Sequence, residues 1–409
     1  MKSGSASRDF LLRTATPFLM GGMFFTPMLV LRIGGFTVGD VLFFVASGLV
    51  LLSTAPRPPR QPAIQVALLL GLIGSALVLA QTPNIAESTM VSIRVLFVWS
   101  IWQFAVRKWA EHPQQLSVLV TCFAVGAAAS GAVAIGQAYL GLSVPGTEIV
   151  HGRVPGLATH VNGQGGALAV ATAMTVGLLL ARVRARLHLA CLVLIVIGLL
   201  LSGSVTGMLA AIVGTFVVMI AQKASLGRLF AILGTAALAV LAALNLQTLV
   251  PGASSPLDRF LDTTGQSDSE GTLASRVATY IWTWERIVAS PLVGVGLDAN
   301  SGGTFDGQTQ VHNMLLLVWF QGGLLLLTAV LVVIAYTVSA FAKMPPNTLK
   351  APLLGAFAGA LTFAMTGPVL YDRWFWLPFV LAWALPVAIQ RDVDHQVHPN
   401  AKAIVTPQT

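Results

Sequence analysis

Residues 312–342 read HNMLLLVWFQGGLLLLTAVLVVIAYTVSAFA, and from Met314 to Ala342 no acidic or basic side chain interrupts them. A helix needs about 20 apolar residues to cross roughly 30 Å of hydrocarbon. The stretch is long enough, and its continuous apolar character favours a helix over the alternating pattern of a barrel strand. Eleven further runs lie near 14–31, 38–55, 63–81, 91–106, 116–140, 165–181, 187–202, 207–221, 229–250, 351–370 and 374–390. Composition agrees: of 409 residues 56% are hydrophobic and 9% are charged, with a mean hydropathy of +0.81. A soluble domain carries about 25% charged residues. Disorder, collagen, a disulfide scaffold and an outer-membrane barrel are excluded. Cys122 and Cys191 both sit inside apolar runs, where they say little about redox compartment. The expected fold is therefore an all-α polytopic membrane protein with about 12 transmembrane helices.

The polar connections set the orientation. Lys2, Arg8 and Arg13 precede the first run, which reads as an uncleaved helix with its N-terminus in the cytoplasm. Alternate loops then place 16 of the 23 basic residues inside, including every lysine. The opposite side keeps Arg32, Arg94, Arg153, Arg259, Arg276, Arg286 and Arg373, with 11 of the 15 acids. The positive-inside rule gives both termini cytoplasmic, and the net charge of +8 serves topology instead of nucleic acid. Seven arginines and no lysine on the outer side suit phosphate, which the planar guanidinium grips with two prongs. Residues 1–390 read as a single transmembrane domain that includes a periplasmic loop at 251–311, followed by a polar cytoplasmic tail at 391–409. Within that loop, Leu273, Val277, Tyr280, Ile281, Trp284, Ile287 and Val288 share one helical face, opposite Ser275, Arg276, Thr279, Thr283 and Arg286. They predict a short amphipathic helix at the membrane surface, stopped before Pro291. Gly294 and Gly296 then read as a flexible hinge before His312.

The residues able to carry chemistry cluster in the outer segments. His312, at a helix mouth, is either a proton acceptor near neutral pH or a simple interfacial cap. Arg153 is a solvated loop charge or part of a pocket. Arg94 snorkels or contacts a phosphate. Arg373 reads as a local partner of Asp372. Asn162 and Gln164 offer hydrogen bonds to sugar hydroxyls. His151 and His160 flank Arg153; loop polarity or acceptor binding is preferred to a metal pair, because third and fourth ligands are not evident.

Ser275-Arg276, Trp282, Pro291-Leu292-Val293-Gly294-Val295-Gly296-Leu297, His312-Asn313-x-x-Leu316 and Gly322-Gly323 follow in order. This set resembles the signature region of the bacterial O-antigen ligase and polysaccharide polymerase family, strongest over 275–323. Gly152-Arg153-x-Pro155-Gly156, with Asn162 after it, adds to the likeness. The resemblance implies transfer of a glycan from an undecaprenyl-diphosphate-linked donor to a lipid or glycan acceptor, at the outer face of the inner membrane, without a metal or other cofactor. It implies His312 as the base and Arg276 as a diphosphate contact. Arg153, Arg94, Asn313 and Asn162 are the further candidates for holding diphosphate or sugar. Many relatives carry an arginine directly after the second serine of Ser202-Gly203-Ser204; here that residue is Val205, so either Arg153 or Arg94 replaces it or the donor is held differently. The alternative function is a transporter or flippase for a lipid-linked or anionic solute, for which broken helices and midplane charges would speak.

Overall fold

The computed structural model describes residues 3–55, 57–147, 149–150, 152–225, 227–228, 231, 234, 272–298, 305 and 310–397. Helix dominates these residues. α1 (Ser3–Phe25) leads into a two-residue hairpin, β1 (Arg32–Ile33) against β2 (Phe36–Thr37), and then α2 (Val38–Leu52) and α3 (Pro62–Leu79). α4 (Ile85–Phe97) passes through a π-helical turn at Val98–Trp102 into α5 (Gln103–Trp109). There follow α6 (Pro113–Tyr139), α7 (Val161–Leu180), α8 (Ala185–Leu201), α9 (Val205–Ala221), α10 (Thr272–Ala289), α11 (Met314–Lys343), α12 (Lys350–Ala364) and α13 (Arg373–Val397). Five helical stretches are long and apolar enough to cross a membrane: Pro62–Leu79, Ile85–Trp109, Pro113–Tyr139, Val161–Leu180 and Met314–Lys343. Others, such as Val205–Ala221 and Lys350–Ala364, are apolar but shorter. The run expected at 229–250 and the loop part 251–271 lie almost wholly outside the described residues.

The side chains are arranged for lipid. In α9, Leu209, Ile212, Phe216 and Ile220 are exposed, while Gly207, Ala210, Ala211 and Gly214 are buried. Over residues 207–214 small residues face in, while large apolar groups on the other side face out, the reverse of a soluble helix. Small residues let helices approach closely in a membrane. At the crossing of α9 and α12, a Cβ on Gly355 would lie 2.5 Å from the Gly214 carbonyl oxygen.

α13 carries on past 390 to Val397 because its polar start is held. Arg391 donates to the carbonyls of Arg107, Lys108 and Ala110 at the end of α5, at 2.8–3.1 Å. Asp392 accepts from His112 Nδ1 at 2.7 Å. Residues 398–409, the rest of the expected tail, lie outside the described residues. Arg373 does not pair with its neighbour Asp372 as expected; its Nε donates to Asp40, on α2. Asp40 also closes the cap of α2 by accepting from Thr37 N, so one carboxylate joins two distant elements.

Candidate active site

His312 precedes α11, whose N-cap is Asn313. Asn313 Oδ1 accepts from Leu315 N and Leu316 N at 3.0 and 3.1 Å. Its Nδ2 donates to the Met365 carbonyl at 3.2 Å, fixing the start of α11 to the end of α12. Both ends of the Asn313 amide are thus occupied in positioning the helix mouth. The His312 ring is half-buried, and Nδ1 lies 2.7 Å from the Gln310 carbonyl. A carbonyl can only accept, so Nδ1 carries the proton and neutral His312 keeps its lone pair on Nε2. Burial, and next the charge of Arg276, hold the imidazole below its ordinary pKa, while the Gln310 bond opposes them. Burial thus favours the neutral ring, and among the described residues no hydrogen bond occupies Nε2.

α10 supplies Arg276 and Tyr280. The Tyr280 hydroxyl donates to the His312 carbonyl at 2.9 Å. Burial and the neighbouring Arg276 charge pull the phenol in opposite directions, burial prevailing and raising it. Arg276 is half-buried, and its Nε is buried with no hydrogen-bond partner among the described residues. The helix was expected over 273–288 and is found, with its faces turned in an informative way. Thr279 and Thr283 are fully buried, whereas Val277, Ile281, Trp284 and Val288 are exposed. Much of the apolar face thus points outward, an arrangement suited to a helix lying against lipid, although Ile287 is buried and Arg286 is exposed. Arg286 stacks on Trp282 with its guanidinium carbon 4.1 Å from the ring centroid.

Arg153 reaches across the loop between α6 and α7 to the turn between α8 and α9. Its Nε donates to the Ser202 carbonyl at 2.8 Å, and Nη2 donates to Asn162 Oδ1 at 2.7 Å. Gly203, at φ +57°, makes room: a Cβ there would stand 3.0 Å from Arg153 Cγ. Arg153 thus lies on the Ser202-Gly203-Ser204 turn that precedes Val205. His160 caps α7, its Nδ1 accepting from Asn162 N at 3.1 Å. Loss of solvent, then the charges of Arg153 and His312, hold His160 below its ordinary pKa. The two histidines and two arginines thus form one electrostatic group, and the charges that perturb the histidines are positive. Gln164 is fully buried, accepting from Ser130 Oγ at 2.8 Å, so it supports the loop from beneath. His151 lies outside the described residues.

Arg94 belongs elsewhere. Its Nη2 donates to the Gly35 carbonyl of the hairpin, and its own carbonyl accepts from Arg373 Nη1 at 3.0 Å. Its charged neighbours are Asp40, Arg373 and Arg32.

The expected flexible hinge at Gly294 and Gly296 is instead docked. α11 breaks at Gly323, at φ +70°. A break frees backbone groups that must find partners away from water. Val295 N donates to Phe320 O at 3.1 Å and Gly296 N to Gln321 O at 3.2 Å, while Leu324 N donates to Leu292 O at 3.3 Å. The next residues are clamped as well: Ser88 Oγ on α4 donates to Asp298 Oδ2 at 2.6 Å, and Gln321 Nε2 donates to the Asp298 carbonyl at 2.8 Å. Sequence reasoning passed over Tyr280 as a support for His312 and Asp298 as an anchor. Tyr280 was placed on the apolar face, and the only sequence signal for its role was its position four residues after Arg276.

These elements define a helical membrane protein with a basic, histidine-bearing site at one end of its bundle. Residues 190–331 match the model of the family described as O-Antigen ligase, a likeness that extends over that segment of the chain. The matched segment contains Arg276, His312 and the Gly322-Gly323 break, while Arg94, Arg153 and Asn162 lie before it. No curated protein matches the chain.

Proposed function

We propose that the protein is an integral-membrane glycosyltransferase that moves a glycan from undecaprenyl diphosphate to an acceptor hydroxyl, at the periplasmic face of a bacterial inner membrane. The observation that carries this reading is the contact of His312 Nδ1 with the Gln310 carbonyl, which leaves Nε2, unpaired among the described residues, as the ring's acceptor within reach of the Arg276 charge. His312 Nε2 takes the proton of the acceptor hydroxyl as its oxygen bonds to the anomeric carbon. The anomeric carbon's bond to the carrier oxygen breaks, and that electron pair leaves on the diphosphate. Arg276, with its unpaired Nε, and Arg153 meet the leaving charge. Charge-assisted bonds of this kind act strongly where water is scarce. Asn162, already bonded to Arg153, holds that arginine and faces the sugar. Asn313 serves by fixing the helix mouth.

The alternative is a transporter or flippase, and the break in α11 is the feature that favours it. The carbonyls that such a break would offer to a solute, Phe320 and Gln321, are taken by Val295 N and Gly296 N. That supports the enzyme reading. Deleting the gene separates the possibilities through the glycan profile of the cells. Collapse of chain length marks a polymerase, and full-length chains stranded on the carrier mark a ligase. An unchanged glycan profile rejects both.

Arg276→Lys keeps the charge and loses the two-pronged geometry. Loss of one such bond is expected to cost about 1.5–3 kcal/mol, roughly 10–150-fold in transfer rate. The check is transfer by purified membranes at equal protein abundance; wild-type rates from the lysine variant remove Arg276 from the site.

A further inference from the structure

The hairpin and α4 carry a second concentration of arginine that the transfer reaction does not use. Arg32, on β1, is exposed, and its Nε donates to the Leu29 carbonyl at 3.1 Å. Among the described residues its terminal nitrogens make no hydrogen bond, so they are open to a ligand. Arg94 gives Nη2 to Gly35, lies 5.8 Å from the centre of the Phe36 ring, and keeps a buried Nε with no hydrogen-bond partner among the described residues. Arg373 stands behind them, 3% exposed, with Nη2 likewise unpaired.

Charge balance leaves this cluster positive. Arg32, Arg373 and Asp40 all lie within electrostatic reach of Arg94. Asp40 is spent on Arg373 and on the Thr37 amide. Asp372, the other nearby carboxylate, is held up to about 7 by burial, so it carries only part of a charge at neutral pH. Apolar side chains adjoin it in the chain: Ile33 is 60% exposed beside Arg32, and Ile93, next to Arg94 on α4, is exposed too. Val30, just before the hairpin, donates its N–H to the Leu157 carbonyl at 3.0 Å. The hairpin therefore sits at the same end of the bundle as Arg153. An open cationic tip, deeper unpaired guanidinium nitrogens and flanking exposed isoleucines match an anionic headgroup with acyl chains beside it.

We propose that Arg32 and Arg94, backed by Arg373, form a second site that binds the phosphate of a lipid, separate from the His312 site. The phosphate belongs to a bilayer phospholipid or to a polyprenyl diphosphate, and binding requires no turnover, so the proposal stands or falls apart from the transfer reaction. The test uses the full-length protein, released from nanodiscs and weighed with its retained lipids by native mass spectrometry. The probes are phosphatidylglycerol, phosphatidylcholine and undecaprenyl diphosphate. Arg32→Gln is the first variant, since an exposed side chain is dispensable for folding; the Arg32→Gln/Arg94→Gln pair is the second. Arg286→Gln is the control for surface charge in general. Each arginine removed should weaken anionic-lipid retention about fivefold, with phosphatidylcholine and the control unaffected. A loss confined to phosphatidylglycerol assigns the site to bilayer lipid, and a loss confined to undecaprenyl diphosphate assigns it to the carrier. Unchanged retention of both in Arg32→Gln, or an equal loss in Arg286→Gln, overturns the proposal.

Discussion

Replacing His312 with alanine is expected to abolish glycan transfer while the protein still inserts and folds. A positioned base is worth about 10²–10⁴-fold in rate, the largest single loss expected at this site. The folding cost is small. Among the described residues the side chain makes one hydrogen bond, to the Gln310 carbonyl, and its removal costs about 1 kcal/mol. The Tyr280 contact is to the His312 backbone carbonyl, which alanine keeps. His312→Gln retains a hydrogen-bonding group but takes up no proton at working pH, so it should be inactive as well. Purified membranes assayed at matched abundance provide the measurement, and an alanine variant that transfers glycan at the wild-type rate sinks the assignment.

The same geometry fixes a pH dependence. A base acts in its deprotonated form, which is populated above its pKa. Burial and Arg276 hold His312 below the ordinary value of 6.5. Transfer should therefore be level between about pH 7 and 8 and fall as the pH drops below 6.5. The fall should be absent from whatever residual rate His312→Ala retains.

Much of this was legible in the sequence because it is local. Continuous apolar runs announce helices, and the ordered motifs from Ser275 to Gly323 carry the likeness to the O-antigen ligase family. The positions of Arg153 and Arg94 were named, yet their partners were not, because those partners are far away along the chain. Arg153 meets Ser202 and Arg373 meets Asp40, and no periodicity encodes such pairings. The faces of α10 were sorted correctly by polarity but not oriented: a surface helix can turn its polar side to water or to a basic site, and only packing decides. Gly294 and Gly296 looked like freedom, since glycine loses the most entropy on ordering. In the fold, one of them is required for contact.

That contact gives the second large effect. A Cβ at Gly294 would lie 2.0 Å from the Gln321 carbonyl oxygen, 2.2 Å from its carbon and 2.5 Å from Gly322 N. All three are backbone atoms, so no rotamer relieves the clash. Gly294→Ala must push the loop off the break in α11 and part Val295 N from Phe320 O and Gly296 N from Gln321 O. Each buried carbonyl left without a partner costs about 1–3 kcal/mol. The displaced loop also holds Asp298 against Ser88, and the chain runs on from there to His312. A misplacement of about 1 Å at a reacting group lowers rate by roughly 10²-fold. Gly294→Ala should therefore melt earlier than wild type in detergent and lose transfer by at least that factor. Gly48, inside α2 with nothing within 4 Å of a Cβ, is the matched control, because alanine there favours the helix by about 1 kcal/mol. If Gly294→Ala matches Gly48→Ala in both melting temperature and transfer rate, the loop is not docked on the break, and the site must be held at α11 by other contacts.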